Sequence, residues 1–569
     1  MSSNFITEDF DAAQWENIEH YTNILLNREL NCSGCLEELI KDCSTLAEHV
    51  SEAGTLLSIA MTCDTEDPGK RQAYLDFIEN VRPKLSEFAD AFNRRLAGHP
   101  AVDELPPRYD LMIKCIRTDI GIFREENIPL QIKEAKLETE HSTITGAMMV
   151  EYDGGEKTLP QMAVYFENTD RSVRESAWRA VVSRMEQDTE RLSEIYDELI
   201  QIRHRIATNA GFDDYRYYIF QAKHRYDYSL DDCLQFHDSI ESVCVPLMHR
   251  IHEERRAALG VDTLRPWDVS EKSGGGVDIH GRPPLHPFDT VDELISGCSN
   301  VFHNMSPELG GMFDMLRDRD SLDLESRKGK APGGYQANLE KTRIPFIFMN
   351  AAGTQGNLIT MIHEAGHAFH SCYSSELDLI DERNPPLEFA EVASMSMELM
   401  SHPEWGEFYS EEDARRAKAD HLEGIVCFMP WMATIDAFQH WVYANPEHTR
   451  EERSDYWLGL RRRFGPRTDW SGFEELKETS WQSQLHLFQV PFYYVEYGIA
   501  QLGAMQLWQY HRKDAADALS RYARAMSLGN TKPLPELFGA AGLNLGFGKG
   551  HVGSLIGELN EALGEIQAT

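Results

Sequence analysis

Residues 354–372 read TQGNLITMIHEAGHAFHSC, and within them His363-Glu364-Ala365-Gly366-His367 is an H-E-x-x-H pentapeptide. Leu358, Met361, Ile362, Ala365 and Phe369 recur at helical spacing, so the stretch predicts an α-helix with one apolar face. On that helix the two histidines stand about 40° apart around the axis and one turn apart along it. Both imidazoles reach one tetrahedral metal ion, and Glu364 flanks the first of them as a general base. An accidental H-E-x-x-H need not sit in a sensible local fold. Here Ile344, Phe346, Ile347, Phe348 and Met349 form a short apolar run read as a buried strand, and 350–357, with Gly353 and Gly356, read as a turn into the helix.

A catalytic zinc usually takes a third protein ligand and keeps one open position. The positions three and six after His367 are His370 and Tyr373, which excludes the pattern with a third histidine six residues on. A downstream carboxylate is the alternative, from Asp378, Asp381, Glu382, Glu388, Glu391 or Glu398. Asn384-Pro385-Pro386 lets the chain reverse, and a second helix then carries Glu388, Glu391 and Glu398 roughly on one face. Spacing leaves both Glu388 and Glu391 open as the third ligand and leans to Glu391. Glu398 suits the outer N–H of a ligating histidine. His370 reads as a second support or a packed polar side chain, because a fourth ligand would close the open position. Gly366 removes a side chain where the two helices cross.

A second dense stretch, 481–497, holds His486, Pro491, Phe492, Tyr493, Tyr494 and Tyr497. Pro491 suits a first helical turn, which places Tyr493 and Tyr497 on one face and Tyr494 next to them. Tyrosyl hydroxyls are good donors to an oxyanion. Without the metal motif the stretch reads as an aromatic core stripe. Gly333-Gly334-Tyr335 opens a strand pair ending at Asn350. Its backbone, with 346–354 including Gly353, offers edges to an extended peptide.

The chain has 569 residues, 42% hydrophobic and 26% charged, enough for two domains with ample core. A formal net charge of −38 argues against nucleic acid, whose phosphates need clustered cations. No stretch reaches the ~18 apolar residues of a membrane span; 425–438 is broken by Pro430 and Asp436. The acidic segment 1–15 lacks the marks of a signal peptide. Ten scattered cysteines, with Cys32 and Cys35 as the one C-x-x-C, predict free thiols in a reducing cytoplasm.

Helical patterning runs through the first 140 residues, most strongly over Tyr74, Phe77, Ile78, Val81, Leu85 and Phe88. Asp153-Gly154-Gly155 predicts a hairpin within 143–166, followed by one long helix from Trp178 to Ile206. Gly274-Gly275-Gly276 and Pro283-Pro284 mark a loop. The expected division is 1–190, an N-terminal helical domain with the hairpin, and 191–569, a catalytic domain.

The residues Pro345-Phe346-Ile347, Asn350, Gly353-Thr354, His363 to His370 and Ala390-Glu391-Val392-Ala393-Ser394 resemble the M3 family of zinc metallopeptidases, and its oligoendopeptidase F branch most closely. Further matches are Arg205-Ile206-Ala207, Asn209 to Phe212, Arg265-Pro266-Trp267-Asp268, Leu528-Gly529 and Leu534 to Leu537, so the resemblance covers about 140–545. It implies a mainly α, two-lobed helical metallopeptidase, with a small β-sheet beside the H-E-x-x-H helix and a deep substrate channel. It implies one zinc ion held by His363, His367 and Glu391, and it puts a second family glutamate on Glu398. It also implies a histidine and tyrosines closing over the zinc. Tyr493 and Tyr497 match, His486 matches to within one residue, and Val495 stands where the family has a tyrosine. The implied substrates are short unfolded peptides. A zinc carboxypeptidase of similar build and an inactive peptide-binding scaffold are the competing readings. An intact Glu364 argues against the scaffold, which has no use for a base.

Overall fold

Apolar residues at helical spacing dominate the chain, and the computed structural model is accordingly built mainly of α-helices, with five short strands among the described residues. Described are residues 5–568 apart from 8, 9, 31, 271–275, 328 and 332, with backbone only at 139, 142 and 160. Gly274 and Gly275 of the glycine triplet lie outside the described residues.

The chain forms two compact units, each assembled from three separate stretches. The first comprises Met1–Phe123, Pro287–Phe408 and Gln506–Asn544; the second comprises Arg124–His286, Tyr409–Met505 and Leu545–Thr569. The division differs from the contiguous one expected at residue 190, which falls inside the helix Thr189–Asn209 of the second unit. Helical periodicity reports which face of a segment is buried and carries no label for the unit that buries it.

In the first unit, helices Trp15–Asn27, Ser33–Cys63, Pro68–Asn80, Arg82–Ala97 and Asp110–Ile122 bury Ile18, Leu25, Leu36, Leu39 and Leu96 in a common core. The same unit holds a three-stranded sheet of β3 (Leu322–Glu325), β5 (Ile344–Ala351) and β4 (Tyr335–Leu339), in that spatial order. β5 is central, parallel to β3 and antiparallel to β4, with Tyr335 opposite Phe348 and Leu339 opposite Ile344. The expected pair was thus β4 and β5. β3 was not legible, because Leu322–Glu325 is four residues long with only Leu324 deeply buried.

β5 runs into the H-E-x-x-H helix Gln355–Ser374 through a turn at Gly353, whose φ of 80° suits glycine. Thr354 caps that helix: its Oγ1 accepts the N–H of Asn357, and Asn357 Oδ1 accepts the N–H of Thr354, both at 3.2 Å. This reciprocal cap satisfies N–H groups that would otherwise be orphaned at the helix start.

In the second unit, β1 (Met149–Tyr152) and β2 (Gly155–Thr158) form the expected hairpin, with Asp153 and Gly154 at φ 50° and 74°. The single long helix expected after it is two, Arg171–Glu186 and Thr189–Asn209. The break falls at Gln187-Asp188, whose N–H groups bond to carbonyls three residues back while Arg184 pairs with the Asp188 carboxylate. The apolar rhythm passes through this two-residue interruption unchanged. Asp268 of the Arg265–Asp268 motif is fully buried and pairs with Arg171 at 2.6 Å and with buried Arg174 at 2.9 Å. The apolar run at 425–438 lies within the helix Glu411–Ala444, and no described helix is long and apolar enough to cross a membrane.

Candidate metal centre

The helix Leu387–Met400 follows the Pro385-Pro386 reversal and packs against Gln355–Ser374. Their approach is close at one point: a Cβ on Gly366 would stand 2.6 Å from Ser394 Cα and 2.9 Å from Ala393 O. Only glycine fits there, as the sequence suggested. Tyr522, fully buried, reinforces the crossing by placing its hydroxyl 3.3 Å from the carbonyl oxygens of both Gly366 and Ala393. Its position more than 120 residues from either helix gave it no signal in the sequence.

This crossing assembles the motif residues. The Nε2 atoms of His363 and His367 lie 3.3 and 3.5 Å from Glu391 Oε2. The three ligand atoms lie within 4.8 Å of one another. Ligands at ~2.0–2.1 Å from a tetrahedral zinc stand ~3.3 Å apart, so the donor set fits such an ion. Burial pushes the Glu391 carboxyl up, but His367 and His363 outweigh it and hold it well below the usual carboxylate range. An anion thus faces the shared space between two imidazoles.

The supporting contacts are specific. His363 Nδ1 lies 2.6 Å from Glu398 Oε1, the place expected for that glutamate. Ser394 donates its hydroxyl to Glu391 Oε2 at 3.0 Å, one helical turn on. Glu364 is 8% exposed, and the backbone of Gln336 on β4 favours the charged form of its carboxyl. Burial pushes its carboxyl above the usual range, with His363 and His367 opposing. His370 is buried, packs edge-on to Phe389 with ring centroids 5.9 Å apart, and burial lowers it to about 3. It is a packed neutral side chain, not a member of the ligand group. Glu388 is likewise buried but outside that group.

Gly333 has φ 99°, and Gly334 lies against Thr360 and Phe348. The Tyr335 hydroxyl lies 2.6 Å from Thr62 Oγ1, and its ring stacks on Phe348 at 4.7 Å. Tyr335 is therefore anchored to the unit's own core.

His486, Tyr493, Tyr494 and Tyr497 belong to the second unit, where their rings cluster. Centroids lie 4.9 Å apart for His486–Tyr494, 5.0 Å for Tyr493–Tyr497 and 5.9 Å for His486–Tyr497. The helix begins at Tyr494, so Pro491 is not in its first turn as expected. Phe492 precedes it at φ 59°, with its N–H bonded to Gln439 Oε1 at 2.7 Å and its carbonyl to Arg225. Tyr493 and Tyr497 are half-buried, whereas Tyr494 is 8% exposed, beside the polar groups of Trp431 and Gln484. Val495 is fully buried.

The description of peptidase family M3 matches residues 164–548, and that of the M3 N-terminal domain matches 5–116. Group B oligopeptidase PepB of Streptococcus agalactiae serotype III is 23% identical over 349 residues, 59% of this chain and 53% of its own length. The chain thus spans about half the length of that relative. An oligoendopeptidase F homolog of Borreliella burgdorferi is 21% identical over 454 residues, 76% of this chain and 73% of its own. Among solved structures, PZ peptidase A with inhibitor 2 superposes with a TM-score of 0.92 at 28% identity, covering 99% of each chain. The family match runs through every residue that gathers at the helix crossing, and the chain belongs to peptidase family M3.

Proposed function

We propose that the protein is a zinc-dependent oligoendopeptidase that hydrolyses peptide bonds in short unfolded peptides. The observation that carries this reading is the buried Glu364 carboxylate beside two imidazoles and a carboxylate spaced for one tetrahedral ion. His363, His367 and Glu391 would hold the zinc. Bound there, zinc supplies Lewis acidity, polarising a carbonyl oxygen and making a water acidic near neutral pH. Glu364 accepts the proton of the water that attacks the scissile carbonyl and returns it to the leaving amine. Its raised affinity for protons, caused by burial, suits both halves of that task.

β4 pairs on one side with β5, and the backbone of its Gln336 acts electrostatically on Glu364. An extended peptide adding along that strand brings a backbone carbonyl near the base, and main-chain bonding of this kind demands an unfolded substrate. The resemblance assigns the oxyanion donors to the tyrosine stretch; half-buried Tyr493 and Tyr497 suit that role better than packed Tyr494. A cytoplasmic site of action fits the ten free cysteines.

The test is cleavage of a quenched-fluorescence peptide panel. Wild type is expected to cut internal bonds, lose activity to a chelator and regain it with zinc. Glu364→Gln keeps the size of the side chain but cannot take the proton. It is expected to retain metal and peptide binding while losing at least about 10³-fold in rate, ~4 kcal/mol of transition-state stabilisation. Near-normal cleavage by that variant overturns the mechanism, and release of terminal residues only overturns the endopeptidase assignment.

A further inference from the structure

The helices Leu230–Ala258 and Glu411–Ala444 of the second unit pack against each other and enclose a polar group that the peptidase reading does not use. Cys233 and His237 stand four apart on one helix, Asp436 and His440 four apart on the other, so each pair shares a face. All four are at most 3% exposed. His237 Nε2 lies 2.8 Å from Asp436 Oδ2. His440 Nε2 lies 3.3 Å from the same oxygen without forming a hydrogen bond. One ligand atom each from Cys233, Asp436 and His440 lies within 4.8 Å of the others.

A buried Asp–His pair alone accounts for Nε2 of His237 and one oxygen of Asp436, while Nδ1 of His237 is buried without a hydrogen-bond partner. It leaves both ring nitrogens of His440 and Oδ1 of Asp436 buried with no hydrogen-bond partner. Interior polar groups are normally satisfied, and those left over call for an ion, a water or a chemical role. A thiol, a carboxylate and an imidazole converging from two helices form a donor set suited to a borderline-soft divalent ion. A histidine that donates to the ligating carboxylate is the usual outer support of such a site.

We propose that Cys233, Asp436 and His440 bind a second divalent transition-metal ion, zinc by the chemistry of the donors, with His237 holding the carboxylate in place. Binding converts the Cys233 thiol to a thiolate and releases its proton to solvent. The site is structural: it clamps the two helices, and the ring of Phe492 lies edge-on to His440 at 5.3 Å, immediately before Tyr493.

Cobalt(II) titration of the metal-stripped, reduced full-length protein tests this independently of peptidase activity. The His363–His367–Glu391 centre has no sulfur donor, so a thiolate-to-cobalt charge-transfer band in the near ultraviolet reports the second site alone. Wild type and the Cys32→Ser/Cys35→Ser double variant are expected to develop the band to about one equivalent. Cys233→Ser is expected to lose it and to bind one zinc fewer. His440→Gln, which keeps the sulfur, is expected to need at least about 10-fold more cobalt for the same band, and it decides the matter if Cys233→Ser fails to fold. Absence of the band in folded wild type, its persistence in Cys233→Ser, or an unchanged titration in His440→Gln overturns the proposal.

Discussion

The Nδ1 atom of His363 lies 2.6 Å from Oε1 of Glu398. That bond holds the imidazole with its proton on Nδ1 and leaves the Nε2 lone pair directed at the space shared with Glu391 and His367. Removing the partner frees the ring and lowers its basicity. Glu398→Ala is expected to weaken zinc binding about 10–100-fold. Glu398→Gln keeps an acceptor oxygen without the charge and is expected to fall between. Competition against a chelator of known affinity measures both; equal affinities for wild type and Glu398→Ala remove Glu398 from the metal's support.

Glu391 and Glu388 are both buried on the same helix, yet only Glu391 reaches the two histidines. Glu391→Ala is expected to abolish stoichiometric zinc, whereas Glu388→Ala keeps it. Metal analysis of the two purified variants is the check, and zinc loss in Glu388→Ala alone would reverse the assignment.

The tyrosines divide by exposure. Tyr493→Phe and Tyr497→Phe are expected to lower kcat by roughly 10²-fold with little change in KM, the signature of a group used in the transition state. Tyr494→Phe removes a hydroxyl buried beside Trp431 and Gln484, so its main effect is expected on stability. Steady-state kinetics beside thermal melts separate the two effects. Unchanged kcat in both half-buried positions returns the stretch to an aromatic packing role.

Gly366→Ala places a methyl group 2.6 Å from the backbone of Ser394, where no flexible side chain can yield. The helices must separate, at a cost of about 1–3 kcal/mol or more. Zinc affinity is expected to fall with stability, because Glu391 stands on the displaced helix. A melt and a zinc titration of this variant matching those of wild type would show that the crossing tolerates a side chain.

By itself the sequence determined the elements that carry chemistry. His363, Glu364 and His367 are spaced by one helical turn, and that periodicity is a local property of the backbone. The Thr354 cap, the Gly353 turn and the β1–β2 hairpin are local in the same way. Tertiary structure decided what crosses those distances, where helical spacing could only lean and the family resemblance could only imply. Spacing left Glu388 and Glu391 as rivals, and the rotation of their helix at the Gly366 crossing put Glu391 at the histidines. Tyr522 joined that crossing from a remote helix, and β3 joined the sheet as four residues with no pattern of their own. The orphaned nitrogens of His440 and their neighbours Cys233 and Asp436 come from helices some two hundred residues apart. Side-chain periodicity tells each segment which face to bury, but the partner that meets the face is chosen by packing, and packing has no signature in either segment taken alone.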